Sequence, residues 1–328
     1  MVVNHLSTRS FDEIPFTKGL HEVAPGTYAY LQPDGGWGYS NAGLIVGGDE
    51  VLLVDTLFSV GLTEEMLSTI RGVVPEAARI DWVVNTHANG DHCYGNQVLA
   101  DSTIVASDSA ADEVAGDDPA FMQAALSMAD GLGVTGSYFT SCFGPFDTSD
   151  VVITPPQQTF EGALSLTLDG RNVDLIQLGP AHSSGDVVVH LPDVDVLFAG
   201  DLLFIDATPI VWEGPFSHWI EACDVMLALE PRVVVPGHGR VADQSGIREV
   251  RAYLEYVEGQ SRLRYERGMS PWDATVDIEL GAFGEWLNNE RIAVNVAMAY
   301  HGFDPTRWAK VTRWDAFTNM ARYAEGRG

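Results

Sequence analysis

Lysine is almost missing from this chain: Lys18 and Lys310 are its only two in 328 residues. Basic residues of both kinds number 18 against 46 acidic ones, a formal net charge of −28 at pH 7. A surface this acidic repels nucleic-acid phosphates and anionic lipid headgroups, so neither nucleic acid nor a membrane surface is an expected partner. The deficit is uneven. Residues 1–250 carry eight Lys or Arg against 35 Asp or Glu, residues 251–328 carry ten against eleven, and nothing basic lies between Arg79 and Arg171. Cysteine is scarce too: Cys93, Cys142 and Cys223 are too few and too scattered for a disulfide framework. No apolar run reaches the roughly 18 residues of a membrane-spanning helix. The opening Met1-Val2-Val3-Asn4-His5 shows no basic region leading into an apolar stretch, so no signal peptide is expected. The expected location is cytoplasmic.

Hydrophobic residues make up 46% of the chain, enough for a sizeable core, and disorder is not expected. Residues 41–55 read as two short strands around Gly47-Gly48-Asp49. Residues 62–72 read as a helix, Trp82–Asn85 as a strand, 92–100 as helical and Thr103–Ser107 as a strand. Such alternation points to a layered α/β fold. Residues 109–150 read as a helical patch at 120–129 plus a loop rich in Gly, Phe and Tyr. They are too long for an ordinary connection. Phe121, Met122, Met128, Tyr138, Phe139, Phe143 and Phe146 make the segment either a packing cluster or a lid over an apolar pocket. Strands resume at 164–169, 173–179, 186–191 and 196–199. A helix spans about 217–230, a strand Arg232–Val235, and the remainder from 242 is helical, punctuated by Pro271 and Asp304-Pro305.

Chemistry concentrates in Thr86-His87-Ala88-Asn89-Gly90-Asp91-His92, directly after a predicted strand. His87, Asn89, Asp91 and His92 all offer N or O donors within six residues. A tight loop tolerates that crowding when a divalent cation balances it. His182 in Gly179–Asp186, Asp201 in Phe198-Ala199-Gly200-Asp201 and His238 in Pro236-Gly237-His238-Gly239 are each lone polar residues at strand-to-loop junctions beside glycine. In layered folds such junctions gather along one edge.

The ordered set THANGDH, GPAHSSGD, FAGD and PGHG, with LLVD ending at Asp55 upstream, resembles the metallo-β-lactamase superfamily over about residues 27–240. The resemblance implies an α/β fold, a four-layer αβ/βα sandwich with its site at one edge between the sheets, here with a C-terminal helical extension. The chain is expected to divide into a catalytic domain at 1–241, carrying the 109–150 segment as a lid or pocket insertion, and a helical region at 242–328 packed on it. The resemblance assigns His87, the residue at 89 and His182 to one metal site, and Asp91, His92 and His238 to a second. Asp201 bridges them, and Asp55 supports the ligand loop from behind. Zinc is the implied ion, one or two per chain, with iron or manganese as alternatives.

This chain departs from the family in one place: the family usually has His where Asn89 stands. An amide oxygen is a weaker zinc ligand than an imidazole. Three readings follow: a dinuclear site with one looser metal, a mononuclear site on Asp91, His92, His238 and Asp201, or an Asn89 that donates a hydrogen bond to a bound oxygen. Asp201 stands where the best-known β-lactamases with a Cys ligand carry sulfur, which is closer to thioesterases and lactonases. Cys93 is read as packing.

The expected activity is hydrolysis of a lactone, ester or thioester by a hydroxide that the metal generates near neutral pH. Asp91 orients the nucleophile and Asn89 stabilises the developing oxyanion. The expected substrate is a neutral, apolar acyl compound, with metal as the main positive charge in the site. Trp37, Tyr39 and Phe139 are candidate substrate contacts, the first two on a hairpin over residues 28–43. That hairpin and HANGDHCYGN also resemble the actinorhodin-type aromatic polyketide cyclases. This makes a metal-dependent cyclase or lyase an alternative, and an iron-dependent oxygen-using member of the fold another. A binding protein with a vestigial site is the non-enzymatic alternative. An acyl carrier protein is a disfavoured partner because it is acidic too; only Arg262, Arg264 and Arg267 offer it a basic face. The C-terminal helices either cap the sandwich, shield the pocket mouth or form a homodimer interface. His301 and Trp308 are read as structural.

Overall fold

Side chains that alternate between two cores set the architecture of this protein. The structure, a computed structural model, describes residues 14–326; the opening stretch Met1–His5 lies outside them. In chain order the elements begin with β1 (Gly19–Ala24), β2 (Thr27–Leu31), β3 (Ala42–Gly47), β4 (Glu50–Val54), α1 (Val60–Val73), β5 (Trp82–Val84) and the short α2 (Gly90–Cys93). Then follow β6 (Thr103–Ser107), α3 (Asp108–Gly116), α4 (Pro119–Met128), α5 (Gly133–Phe143), β7 (Gln158–Phe160), β8 (Ala163–Leu168), β9 (Arg171–Gln177), β10 (Val187–Leu191) and β11 (Val196–Phe204). The chain ends with α6 (Phe216–Ala228), β12 (Val233–His238), α7 (Gln244–Glu266), α8 (Pro271–Asp277), α9 (Ile292–Phe303) and α10 (Arg313–Glu325).

Among the described residues there are two sheets. One runs in sequence order from β1 to β7; the other has the order β12-β11-β10-β9-β8. Period-two alternation gives each strand two apolar faces. In β4, Leu52 and Val54 face the other sheet while Val51 and Leu53 face α1. In β11 and β12, Val196, Phe198, Val233 and Val235 point to the inter-sheet core, whereas Leu197, Ala199 and Val234 meet the helices behind. Helices therefore cover both outer faces, and the mixed sandwich expected from the motifs is what the chain forms.

Strand direction then positions the site. β4, β5 and β6 are mutually parallel, and so are β11 and β12. Their C-terminal ends deliver Asp55, the His87–His92 loop and His238 to one edge, the edge where crevices in such sheets lie.

Two expectations need correction. The second half of 109–150 is helix α5, not a loop. Its sequence GVTGSYFTSCF is poor in strong helix formers, so packing rather than propensity holds it. Phe139 and Phe143 on this helix are buried against Phe317 of α10. Asp201 does not end a short strand at 196–199 but lies inside β11, which runs on to Phe204. The ladder with β12 is irregular around Gly200, whose φ of 50° favours glycine. A Cβ there would sit 2.6 Å from Thr86 Oγ1. The C-terminal helices α7 to α10 contribute to the same apolar cluster as β10, β11 and α5.

Candidate metal centre

Asp201 is the hub of the site. Its Oδ2 lies 3.7 Å from His87 Nε2 and 3.4 Å from His182 Nε2. Its Oδ1 lies 3.1 Å from His92 Nε2 and 3.5 Å from His238 Nε2. Each carboxylate oxygen thus faces a different pair of imidazoles. Asp91 Oδ2 joins the second pair, 3.3 Å from His238 Nε2 and 4.0 Å from His92 Nε2.

Every ring is oriented from behind. His92 Nδ1 donates to Asp55 Oδ2 at 2.8 Å, and His182 Nδ1 donates to the Ile210 carbonyl at 2.8 Å. His238 Nδ1 donates to the Gly35 carbonyl at 3.2 Å. Thr86 Oγ1 gives its proton to Asp55 Oδ2 at 2.8 Å and so accepts from His87 Nδ1 at 3.1 Å. With Nδ1 donating backward, each ring turns its Nε2 inward, and the neutral form of that tautomer is the one a metal ligand needs. Asp55 also accepts from the Thr86 backbone N–H at 2.7 Å, and it holds the left-handed φ of 62° rare for a residue with a Cβ.

The loop carrying His238 is tied down by a residue that the sequence did not flag. Asn41 Nδ2 donates to the carbonyls of Pro236 at 3.0 Å and Gly239 at 2.8 Å. Gly237 is required by space: a Cβ there would lie 2.0 Å from Asp201 Oδ1.

These residues fit a metal. His87 Nε2, His92 Nε2, His182 Nε2 and Asp201 Oδ1 are buried, and none makes a hydrogen bond of acceptable geometry among the described residues. Unpartnered buried polar atoms are costly, and four of them converging make the donor set that a divalent cation satisfies. Two triads, His87-His92-Asp201 and Asp91-His92-His238, bring their ligand atoms within 4.8 Å of one another. Electrostatics agree for His87 and His182, whereas His92 and His238 hold a proton that a bound cation would displace. Burial lowers His182 to about 4 and holds His87 well below its ordinary value, so both stay neutral. Burial also acts on His92 and His238, but the surrounding carboxylates, Asp201 foremost, outweigh it and raise His238 to about 9. Asp91, despite burial, is held at about 2 by His92 and His238.

Asn89 is half-buried and lines the cavity beside the cluster; among the described residues its amide makes no hydrogen bond. The cavity holds about 530 Å³ and is walled by Trp37, Phe58, Phe139, Phe143 and Phe317. Two expected contacts, Trp37 and Phe139, reach it; the third does not. Tyr39 packs on Phe146 with ring centroids 4.9 Å apart, and it is absent from the cavity wall. The loop reverses between Trp37 and Tyr39 at Gly38, whose φ is 72°. Cys93 is buried, its thiol directed to the Ala88 carbonyl at 3.4 Å. His301 Nδ1 donates to the Trp308 carbonyl at 2.8 Å, a local structural contact.

Metal is not the only source of positive charge available to the cavity. Arg291 and Arg313 line the same cavity as Asp91, Asp201 and His238. Both come from the C-terminal region, far from the motif residues in sequence, and no local pattern marks them. The basic trio is largely committed elsewhere. Arg262 lies 3.5 Å over the Phe303 ring, and Arg264 pairs with Asp277 at 2.9 Å.

The family model described as "Metallo-beta-lactamase superfamily" matches residues 35–238. The metallo-beta-lactamase type 2 of Bacteroides fragilis is 25% identical over 273 residues, covering 80% of this chain and 94% of that protein. The 2,4-dinitroanisole O-demethylase subunit alpha of Nocardioides sp. (strain JS1661) is 26% identical over 180 residues, 52% of this chain and 49% of that subunit. This chain therefore aligns with only about half the length of that relative. Among solved structures, the stereoselective inverting sec-alkylsulfatase Pisa1 from Pseudomonas sp. superposes with a TM-score of 0.67 at 16% identity, over 90% of this chain and 51% of that one. At that identity the likeness is one of fold. No helix among the described residues is long and apolar enough to cross a membrane.

Proposed function

The chain belongs to the metallo-beta-lactamase superfamily, and on that premise we propose that it is a metal-dependent hydrolase that cleaves an ester, thioester or lactone by attack of water on the acyl carbonyl. The observation that carries this reading is Asp201, whose two oxygens each face a separate pair of Nε2 atoms. His87, Asn89 and His182 would hold one ion, Asp91, His92 and His238 the other, with Asp201 between them. Zinc is the proposed metal, and iron and manganese are the alternatives. A divalent cation bound there lowers the pKa of a water to about 7 and polarises a carbonyl oxygen.

The chain's own groups do the rest. Asp91, held ionised, accepts a hydrogen bond from the attacking water and so aims its lone pair at the carbonyl carbon. The Asn89 amide donates to the carbonyl oxygen as negative charge builds there. Phe139, Phe143, Phe317 and Trp37 hold the apolar part of the substrate and keep bulk water from it.

A second reading, hydrolysis of an aryl ether, draws on one comparison: the relative named 2,4-dinitroanisole O-demethylase subunit alpha. The aromatic cavity suits an aryl group equally well. Both readings are tested by assaying zinc-loaded protein on 4-nitrophenyl butyrate, butyryl thioester, a γ-lactone and 2,4-dinitroanisole, with Asp201→Ala as control. Turnover of an acyl substrate, lost in the variant, is expected. Turnover of the ether alone favours the second reading, and no turnover of any of the four overturns both.

A further inference from the structure

Arg291 is only 1% exposed, yet it makes no ion pair among the described residues. Its guanidinium carbon lies 4.1 Å over the Trp37 ring and 5.1 Å from the centre of Phe204. Nη1 donates to the Thr208 carbonyl at 2.8 Å, but the buried Nε has no partner. The adjacent Glu290 acts on it electrostatically without a direct ion pair; its carboxylate accepts the Tyr138 hydroxyl at 2.7 Å. Arg313, an exposed residue at the start of α10, stacks 3.9 Å over Trp212 and makes no ion pair among the described residues. The two tryptophans are neighbours, with ring centroids 6.5 Å apart. The buried Trp37 Nε1 also has no partner.

Buried charges are normally paired, because an uncompensated one costs several kcal/mol or more. Among the described residues no carboxylate closes to an ion pair with Arg291; Glu290 and Asp201 act on it only through space, as Glu113, Asp117 and Glu213 do on Arg313. The carboxylates that line the cavity belong to the metal cluster or to the α3 side, at Glu113, Asp117 and Asp118. Asp117 is engaged there by the Tyr94 hydroxyl at 2.8 Å. Both ends of the arginine wall are fixed to the cluster. The Trp212 backbone N–H donates to the His182 carbonyl at 3.1 Å, and the Gly35 carbonyl, two residues before Trp37, accepts from His238 Nδ1.

We propose that Arg291 and Arg313 form an oxyanion-binding subsite, so that the substrate is an apolar organic anion rather than a neutral molecule. Its hydrocarbon or aryl body lies against Phe139, Phe143 and Phe317. Its acidic group, a carboxylate or a sulfate with the same fork-matching oxygens, sits between the guanidinium groups. The scissile ester is then presented to the metal cluster from a fixed distance. The last point rests on the hydrolase reading above; the subsite itself does not.

The test has two arms on zinc-loaded protein. In the first, hexanoate, hexyl sulfate and hexan-1-ol are titrated by calorimetry into wild type, Arg313→Gln and Arg313→Lys, each checked for an unchanged circular dichroism spectrum. At least one anion is expected to bind tenfold or more tighter than the alcohol. Arg313→Gln is expected to erase that preference and Arg313→Lys to keep part of it. Binding of both anions supports the shared chemistry, and binding of one names the group. In the second arm, kcat/KM is compared for the 4-nitrophenyl monoester of adipic acid and for 4-nitrophenyl hexanoate. The anionic ester is expected to be favoured at least tenfold in wild type, with the ratio falling toward one in Arg313→Gln. If neither ester turns over, the hydrolase reading fails while calorimetry still judges the subsite. Equal binding of anions and alcohol by wild type, or an anion preference untouched in Arg313→Gln, overturns the proposal.

Discussion

His92 and Asp55 are joined by a 2.8 Å hydrogen bond from Nδ1 to Oδ2, and both residues are buried. Asp55 is in turn gripped by the Thr86 N–H and hydroxyl. One carboxylate behind the cluster therefore sets the angle of a ring that faces both Asp201 and Asp91. Asp55→Ala removes that support and leaves the Thr86 N–H unpaired. Zinc affinity, measured by competition with a chromophoric chelator, is expected to fall roughly 10- to 100-fold. Unchanged affinity would mean that the strand ends alone orient His92.

Asn89 lies on the cluster's cavity side with a free amide. Asn89→His replaces a neutral oxygen donor with an imidazole. The weaker of two zinc equivalents is expected to tighten at least about tenfold, roughly 1.4 kcal/mol. A single-equivalent isotherm, identical in both proteins, would favour a mononuclear site.

Gly237→Ala and Gly259→Ala form a matched pair. The first places a Cβ 2.0 Å from Asp201 Oδ1, whereas the second meets nothing within 4 Å on the exposed face of α7. Zinc content is expected to drop sharply in Gly237→Ala. Gly259→Ala is expected to retain it and gain about 0.5–1 kcal/mol of stability from the better helix former. Equal zinc content in the two would show that the approach to Asp201 is slack.

Asp186 carries a pH dependence. Burial pushes its carboxyl up to about 7 even though Ser183 donates to it from N–H and hydroxyl. The folded value lies above the ordinary 3.8, so the folded state holds the proton more tightly. The associated stability is complete below about pH 4 and is lost as pH rises through 7, by about 1.4 kcal/mol per pH unit. Asp186→Asn keeps an acceptor for Ser183 and cannot ionise. The stability of wild type relative to this variant, from urea unfolding at pH 5 to 8, is expected to decline with pH. A flat difference would place the Asp186 titration below this range.

The parts of the site that sequence revealed are those which strands hold directly. Asp201 and His238 lie on strands, and His87, Asp91, His92 and His182 lie in the loops and short helix α2 that strands lead into, so their order along the chain already implies their common edge. Asp55 follows β4 in the same way. Tyr39 does not line the cavity, because a single glycine, Gly38, reverses the loop between it and Trp37. Helix α5 was hidden because Gly136 looks like a breaker. It is there because a Cβ would strike the Ala129 carbonyl at 1.9 Å, a packing constraint that no local pattern announces. Arg291 and Arg313 were invisible for a different reason. Charge counted by segment makes the catalytic part look poor in cations, but folding brings residues from the near-neutral C-terminal helices onto its cavity.

Metal dependence decides the matter most directly. Zinc is to be quantified by plasma mass spectrometry in protein as purified, after chelator treatment and after re-addition, with hydrolysis of 4-nitrophenyl butyrate followed in each sample. Activity is expected to track bound metal, vanishing on stripping and returning with zinc. Full hydrolysis by metal-free protein would contradict the proposed chemistry at Asp201 and the four histidines around it.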